Sequence, residues 1–249
     1  MSGCALTAEQ RTVQQQPREM AEDHVPESLA CSFRSVAIRQ FRSSDREAVR
    51  RLCCETGFLG RPVEPLFRDR ELFADLFTRA YLEYEPESTL IAEASGRVVG
   101  YLLGSVRSDF DRILVYCGFQ TVSKMLFRLM LGRYAGHARS RAFIRWLITT
   151  GFQEQPRHPK NSAHLHLNVD RRYRGRGVGR QLWATYEQQL RQEGIPRCYG
   201  AFFSYANRRP EAAYARFGFR EFARQRTTLF AEEIDSPVEV VCVSKEINS

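Results

Sequence analysis

Residues 171–182 read RRYRGRGVGRQL, with Gly175, Gly177 and Gly179 at alternate positions and Arg174 and Arg176 threaded between them. Glycine there costs backbone entropy and clustered arginines repel, so a compensating partner is expected. A strand ending at Val169 and a helix beginning near Gly177 leave several N–H groups unpaired, Val178 among them. Together with a helix dipole of about half a positive charge, these form an anion site. The expectation is a bound phosphate group on the amides of residues 174–179. A P-loop needs Gly-Lys-Ser/Thr, but Gly179 is followed by Arg180 and Gln181. A dinucleotide fingerprint fails where its third glycine would fall, at Arg180. A turn of purely structural purpose leaves the arginines unexplained.

Two further stretches carry reactive groups. In AHLHLNV (163–169), a strand pattern puts His164 and His166 on one face and Leu165, Leu167 and Val169 on the other. Either histidine could serve as a base, a relay or an inert strand residue; His166 is the candidate base, and Glu93 is a weaker alternative. The His-x-His pair has no recognisable third ligand, so no metal is expected. In NRRPEAAYARFGF (207–219), Asn207 precedes a short helix bearing Tyr214.

The pattern Arg174-x-x-Gly177-x-Gly179 after a strand and at a helix start resembles motif A of the GCN5-related N-acetyltransferase (GNAT) superfamily. Asn207, Tyr214 and Gly218-Phe219 resemble its motif B. The likeness covers roughly residues 36–246. A slighter likeness links AHLHLNVDRRYRGRGVGRQL to the branch that includes the C-terminal domain of O-GlcNAcase. Two departures are Arg171, where the family often has proline, and Pro210, where it often has alanine; proline is tolerated in a helix's first turn.

The resemblance implies acetyl-CoA as co-substrate and direct attack by an amine acceptor, either a small molecule or a peptide. The pyrophosphate would sit on Arg174, Gly175, Arg176, Gly177, Val178 and Gly179. The pantetheine arm would run along strand 163–169, with the thioester near Asn168 and Val169. Asn207 would bind the donor or cap its helix. Tyr214 would be the general acid that protonates the leaving thiolate.

The elements that must position these residues are legible in the remaining pattern. Residues 1–34 lack apolar periodicity and read as a flexible tail, with a single domain over 35–249. VAIRQFR (36–42) alternates as a strand. Ser44 with Glu47 forms a capping-box pattern opening a helix to about residue 56. Helical spacing marks 69–84, and Ser95-Gly96 joins two strands within 88–106. Residues 107–160 form a helical insertion, with Val122, Met125, Leu126, Leu129 and Met130 on one stripe. A strand, a helix over 178–193, a strand, a short helix and two strands follow. The expected architecture is mixed α/β: a GNAT fold with a mostly antiparallel sheet splayed at the cofactor strand, helices on both faces and the insertion before that strand.

The chain has 249 residues, a formal net charge of +8 and seven cysteines. There is no CxxC, so buried reduced thiols are expected, and there is no signal-peptide pattern or spanning segment. These features predict a cytoplasmic protein with no stable membrane insertion, and they leave a homodimer open. An RNA-binding reading of RYRGRG lacks an aromatic stacking platform, so no nucleic-acid partner is expected. The remaining alternative is a non-catalytic acyl-CoA- or partner-binding domain of the same fold.

Overall fold

A computed structural model of the chain describes residues 35–247; the expected tail over 1–34 lies outside them. Seven strands form one sheet: β1 (Ala37–Gln40), β2 (Thr89–Ala94), β3 (Arg97–Ser105), β4 (Ala163–Val169), β5 (Arg197–Ser204), β6 (Arg220–Thr227) and β7 (Val238–Glu246). Their order is β1-β2-β3-β4-β5-β7-β6. Only β4 and β5 pair in parallel, and only over Ala163–Leu165 against Cys198–Gly200. Six helices accompany the sheet: α1 (Arg46–Thr56), α2 (Arg70–Tyr84), α3 (Phe110–Met130), α4 (Ala138–Thr149), α5 (Val178–Gln192) and α6 (Glu211–Arg216).

Local chemistry accounts for most element ends. The β2–β3 hairpin turns on Ser95 (φ 52°) and Gly96 (φ 72°), the left-handed pair that a two-residue loop requires. Asp69 caps α2 by accepting from the Leu72 N–H at 3.3 Å. The start of α1 differs from the Ser44–Glu47 box. A single tight turn over Ser43–Asp45 precedes the helix, and the Asp45 carboxylate accepts the Arg42 N–H at 2.8 Å. Arg39 decides this by gripping Asp45 at 2.7 and 2.9 Å, and this hydrogen-bonded guanidinium holds the carboxyl below its usual range. Arg39 also donates to Glu93 at 2.7 Å. Glu93 is thus half of an ion pair on β2, separated by β3 from the strand carrying the histidines.

Helices cover both faces of the sheet. On one face α1, α2, α3 and α4 bury Val49, Phe73, Met125 and Phe143 against Ile91, Tyr101 and Leu103. On the other, α5 lays Val178, Leu182, Trp183 and Tyr186 over Leu102, Leu165 and Val243. The insertion helices α3 and α4 lie between β3 and β4 in the chain. Of the expected stripe on α3, Met125 is buried, and Leu126 and Leu129 pack on the core. Met130 instead stands 78% exposed, because the buried spine follows Ile113, Cys117, Thr121 and Met125 at intervals of four. The described cysteines, Cys53, Cys54, Cys117, Cys198 and Cys242, are free and buried.

Close approach of α5 to the sheet depends on Gly104. A Cβ there would lie 2.4 Å from the Tyr186 ring and 2.6 Å from the Ser88 carbonyl oxygen. Tyr186 cannot swing away cheaply, since its hydroxyl donates to the His164 carbonyl at 3.1 Å. Gly104→Ala should therefore destabilise the fold by roughly 1–3 kcal/mol through overpacking, read as a lowered urea midpoint at unchanged slope. An unaltered midpoint would show that α5 can shift freely.

Candidate active site

The parting of β4 and β5 creates the central feature of the site. Beyond Leu165 the two strands no longer pair. In an antiparallel ladder the peptide groups of successive residues point alternately to either side. The Asp170 N–H donates to the Val99 carbonyl at 2.8 Å, which in the β3–β4 register turns the Asn168 peptide groups toward β3 and those of Leu167 and Val169 toward the gap. An open strand edge thus faces the parting. The Val169 carbonyl is already taken, by the Arg174 Nε at 2.9 Å.

The glycine-arginine turn stands at the same end of the sheet. A short turn over Arg171–Tyr173, capped by Asp170, leads into α5. Gly177 is the N-cap residue at φ 81°, and no side chain caps the helix. The first backbone bond into α5 runs from the Gln181 N–H to the Gly177 carbonyl, so the N–H groups of Val178, Gly179 and Arg180 have no intrahelical acceptor. Gly175, at φ 74°, and Gly177 would each place a Cβ in open space. Glycine is required there by the backbone conformation, and no described residue fills the room in front. Gly179 backs onto Leu167, 3.6 Å from where its Cβ would be.

Arg174 serves the cradle's geometry. Besides holding Val169, its Nη1 donates to the Gly60 carbonyl at 3.1 Å, tying the turn to the α1–α2 loop. Burial lowers its pKa. Arg176 is exposed at the turn.

A polar row lines the opposite face of β4, under α2 and α3. The Asn168 Nδ2 donates to the Tyr101 hydroxyl at 2.7 Å and to the His166 Nε2 at 3.0 Å. That fixes Nε2 as the acceptor nitrogen of His166. The Tyr81 hydroxyl lies 2.6 Å from the His164 Nδ1. Burial pushes the His166 pKa down to about 4. Burial, with His166 and His158 nearby, pushes that of His164 to about 3. Both rings are neutral at physiological pH.

This shift has a consequence for stability. Unfolded histidines take up protons below about pH 6.5, while the folded protein refuses them until about pH 4. The unfolded state then binds more protons, so stability is lost as pH falls from 6.5 toward 4, at up to about 1.4 kcal/mol per pH unit per histidine. His166→Gln should reduce that slope in urea titrations at pH 6.5, 5.5 and 4.5. An unchanged slope would mean that His166 titrates normally.

Tyr214 lies on α6, beyond β5. Its ring stacks on Phe202 (4.7 Å between centroids, 20° between planes) and meets Phe219 edge-on at 5.7 Å. Burial pushes its pKa up to about 12, with Arg208 pulling the other way, so the phenol keeps its proton at neutral pH. Its hydroxyl has no hydrogen-bond partner among the described residues. Asn207 does not cap α6: the N-cap residue is Pro210, without a side-chain cap. A tight turn closed by the Tyr205–Arg208 bridge leaves Asn207 exposed, three residues before the N-cap Pro210.

The structure thus brings Val169 and residues 174–179 together at the mouth of the parting. It turns Asn168 and His166 to the far face of β4 and leaves Tyr214 and Asn207 on the β5 side. Sequence reasoning missed Leu167, whose peptide faces the gap. It also missed Tyr101 and Gly60, which support the site from distant elements. Only Gly60, beside Leu59 and Arg61 in a Gly-Arg-Pro turn, had a local signal.

A sheet parted at a parallel strand pair, with a glycine-arginine turn at the mouth and helices on both faces, defines the GNAT class of acetyltransferases. The model of the acetyltransferase (GNAT) family matches residues 61–219. The chain belongs to this family, and acetyl transfer is the class of activity that membership supports. Among solved structures, SsHAT is 26% identical with a TM-score of 0.61, over 87% of this chain and all of that one. Ard1 from Thermoplasma volcanium is 16% identical with a TM-score of 0.51, again over 87% of this chain and all of that one. A phosphinothricin acetyltransferase from Sinorhizobium meliloti, solved in complex with AcCoA, is 11% identical with a TM-score of 0.52, over 86% of this chain and 90% of that one. A comparison with curated protein sequences finds no match.

Proposed function

We propose that the chain is an acetyl-CoA-dependent N-acetyltransferase acting on an amine by direct transfer. The observation that carries this reading is an open strand edge at Leu167–Val169 meeting an uncapped helix N-terminus at one end of the sheet. The residues present fit such a donor. A thioester on a long amide-bearing arm that ends in pyrophosphate would pair its amides with the edge and seat its phosphates on the N–H groups. The AcCoA carried by the Sinorhizobium meliloti neighbour is in keeping with this. When bound, acetyl-CoA supplies an acyl carbonyl open to attack.

The chain's own residues then have three tasks. Gly175, Gly177 and the amides of residues 178–180 hold the anion, while Arg174 fixes the turn and Asn207 stays available to the donor. Tyr214, still protonated at neutral pH, donates to the departing thiolate. On the other face, His166 is the base: its Nε2, released from the Asn168 Nδ2–H that it accepts here at 3.0 Å, takes a proton from the amine. A base with pKa about 4 does not deprotonate a free ammonium; it accepts the proton only as N–C bond formation makes the nitrogen acidic. Placing donor and acceptor on opposite sides of one gap supplies the orientation that effective molarities of about 10⁵–10⁸ M reflect.

The test is a panel of small amines, peptides with free N-termini and lysine peptides, incubated with the full chain and acetyl-CoA. Acceptor-dependent thiol release with matching acetylated product is expected. Tight acetyl-CoA binding without turnover across the panel would favour the non-catalytic reading.

A further inference from the structure

The outer face of α3 takes no part in the fold or in the site described above. Eight of the ten large hydrophobic side chains exposed on the described surface belong to residues 107–160. Six of them fall on one side of α3 and its end: Val115, Tyr116, Phe119, Phe127, Met130 and Leu131. Phe119 is 74% exposed and Leu131 69%. At 100° per residue they span less than half the helix circumference, over about 24 Å of its length. The opposite side is the buried spine of Ile113, Cys117, Thr121 and Met125. The unpartnered face is therefore a property of how α3 packs, and it exceeds what scattered surface residues would give.

Charge says what covers it. Residues 107–160 contain ten Lys or Arg against three Asp or Glu, which places seven of the chain's eight net positive charges in this one segment. Two of the three acids are engaged locally: Asp109 with Arg107 at 2.9 Å, and Glu154 with Trp146 and Thr228. At the C-terminal end of the apolar face, Lys124, Phe127, Arg128, Leu131 and Arg133 line an open groove of about 600 Å³. Arg128 is held there by Asp69 and Glu71. Arg133 is 67% exposed and reaches Asp69 only at 4.0 Å. Lys124 and Arg133 are thus the charges presented outward, directly beside exposed Phe127 and Leu131.

We infer that this face is a docking surface for an anionic phospholipid bilayer, with α3 lying in the interface. A second copy of the chain packed on this face would bring the exposed Arg112 and Lys124 of both chains into one interface, a like-charge juxtaposition. An anionic bilayer accepts both the apolar face and the basic flank. No described helix is long and apolar enough to cross a membrane, so the mode is peripheral. At its buried end α3 reaches the acceptor side of the sheet, where the Phe110 ring lies 4.8 Å from Tyr81 and 6.2 Å from His164. Docking would therefore bring that side of the sheet near the lipid. The inference does not rest on the acetyl-transfer reading, and its test needs no turnover.

The full chain should co-sediment with phosphatidylglycerol-containing vesicles at low salt, more weakly as salt is raised, and not with pure phosphatidylcholine vesicles. Phe119→Ser combined with Phe127→Ser should lower the partition coefficient at least tenfold. These side chains are exposed, so the melting temperature should stay the same. Lys124→Gln and Arg133→Gln should each lower the partition coefficient by about fivefold, from roughly 1 kcal/mol per basic residue near an anionic surface. Absence of binding to anionic vesicles at low salt would overturn the inference. So would equal binding by the double serine variant. A concentration-dependent dimer in sedimentation velocity, abolished by the same serine pair, would assign the face to a second copy instead. Vesicle binding outcompeted by an acidic protein at equal charge concentration would assign it to a protein partner.

Discussion

Gly177→Glu is expected to abolish acetyl-CoA binding, raising Kd by more than about a hundredfold, while the protein still folds. Gly177 sits at φ 81° with no described residue within 4 Å of where a Cβ would stand. Any L-residue there bears backbone strain of order 1–2 kcal/mol. Glutamate also projects a negative charge into the space assigned to the pyrophosphate, beside the helix N-terminus. Gly177→Ala separates the two effects: it carries the strain without the charge and should weaken binding far less. Calorimetry on folded variants checks both. Unchanged affinity in the glutamate variant would move the donor site away from the head of α5.

Tyr214→Phe is expected to leave acetyl-CoA affinity nearly unchanged while turnover falls by roughly 10²–10⁴-fold, the range for a positioned general acid. The substitution keeps the stack on Phe202 and the edge contacts to Phe217 and Phe219, which hold the ring in place. It removes only a hydroxyl that has no other partner among the described residues, so little stability should be lost. The lower end of the range is favoured, because a thiolate whose conjugate acid has a pKa of about 8.5 already leaves reasonably well. Full activity with chemistry rate-limiting would exclude Tyr214 as the acid. A fall in acetyl-CoA affinity equal to the fall in turnover would instead make it a binding residue.

The sequence by itself determined the parts whose physics is local. A strand, a turn of glycines and a helix start lie within about twenty residues, so the left-handed backbone at Gly175 and Gly177 and the uncapped amides behind them were readable as a candidate anion site. The same locality made the Ser95-Gly96 hairpin and the alternation that puts His164 and His166 on one face of β4 legible. What the tertiary structure decided depends on partners far away in the chain. The parting of β5 from β4 after Leu165 opens the peptide groups of Leu167 and Val169, whereas pairing with Tyr101 closes those of Asn168; no periodicity within 163–169 distinguishes them. Arg174 looks like a phosphate ligand in sequence, but the Gly60 carbonyl and the end of β4 engage it as a brace. Asn207 looks like a cap, but the Tyr205–Arg208 bridge holds it outside the helix. On α3, the apolar stripe read from the spacing included Met130, and only packing against α2 and the sheet decides which side is buried and leaves Phe119, Phe127 and Met130 to the solvent. Local dihedral preferences and side-chain alternation act within a few residues, while register, bracing and the choice of buried face are set by contacts that form only when distant segments meet.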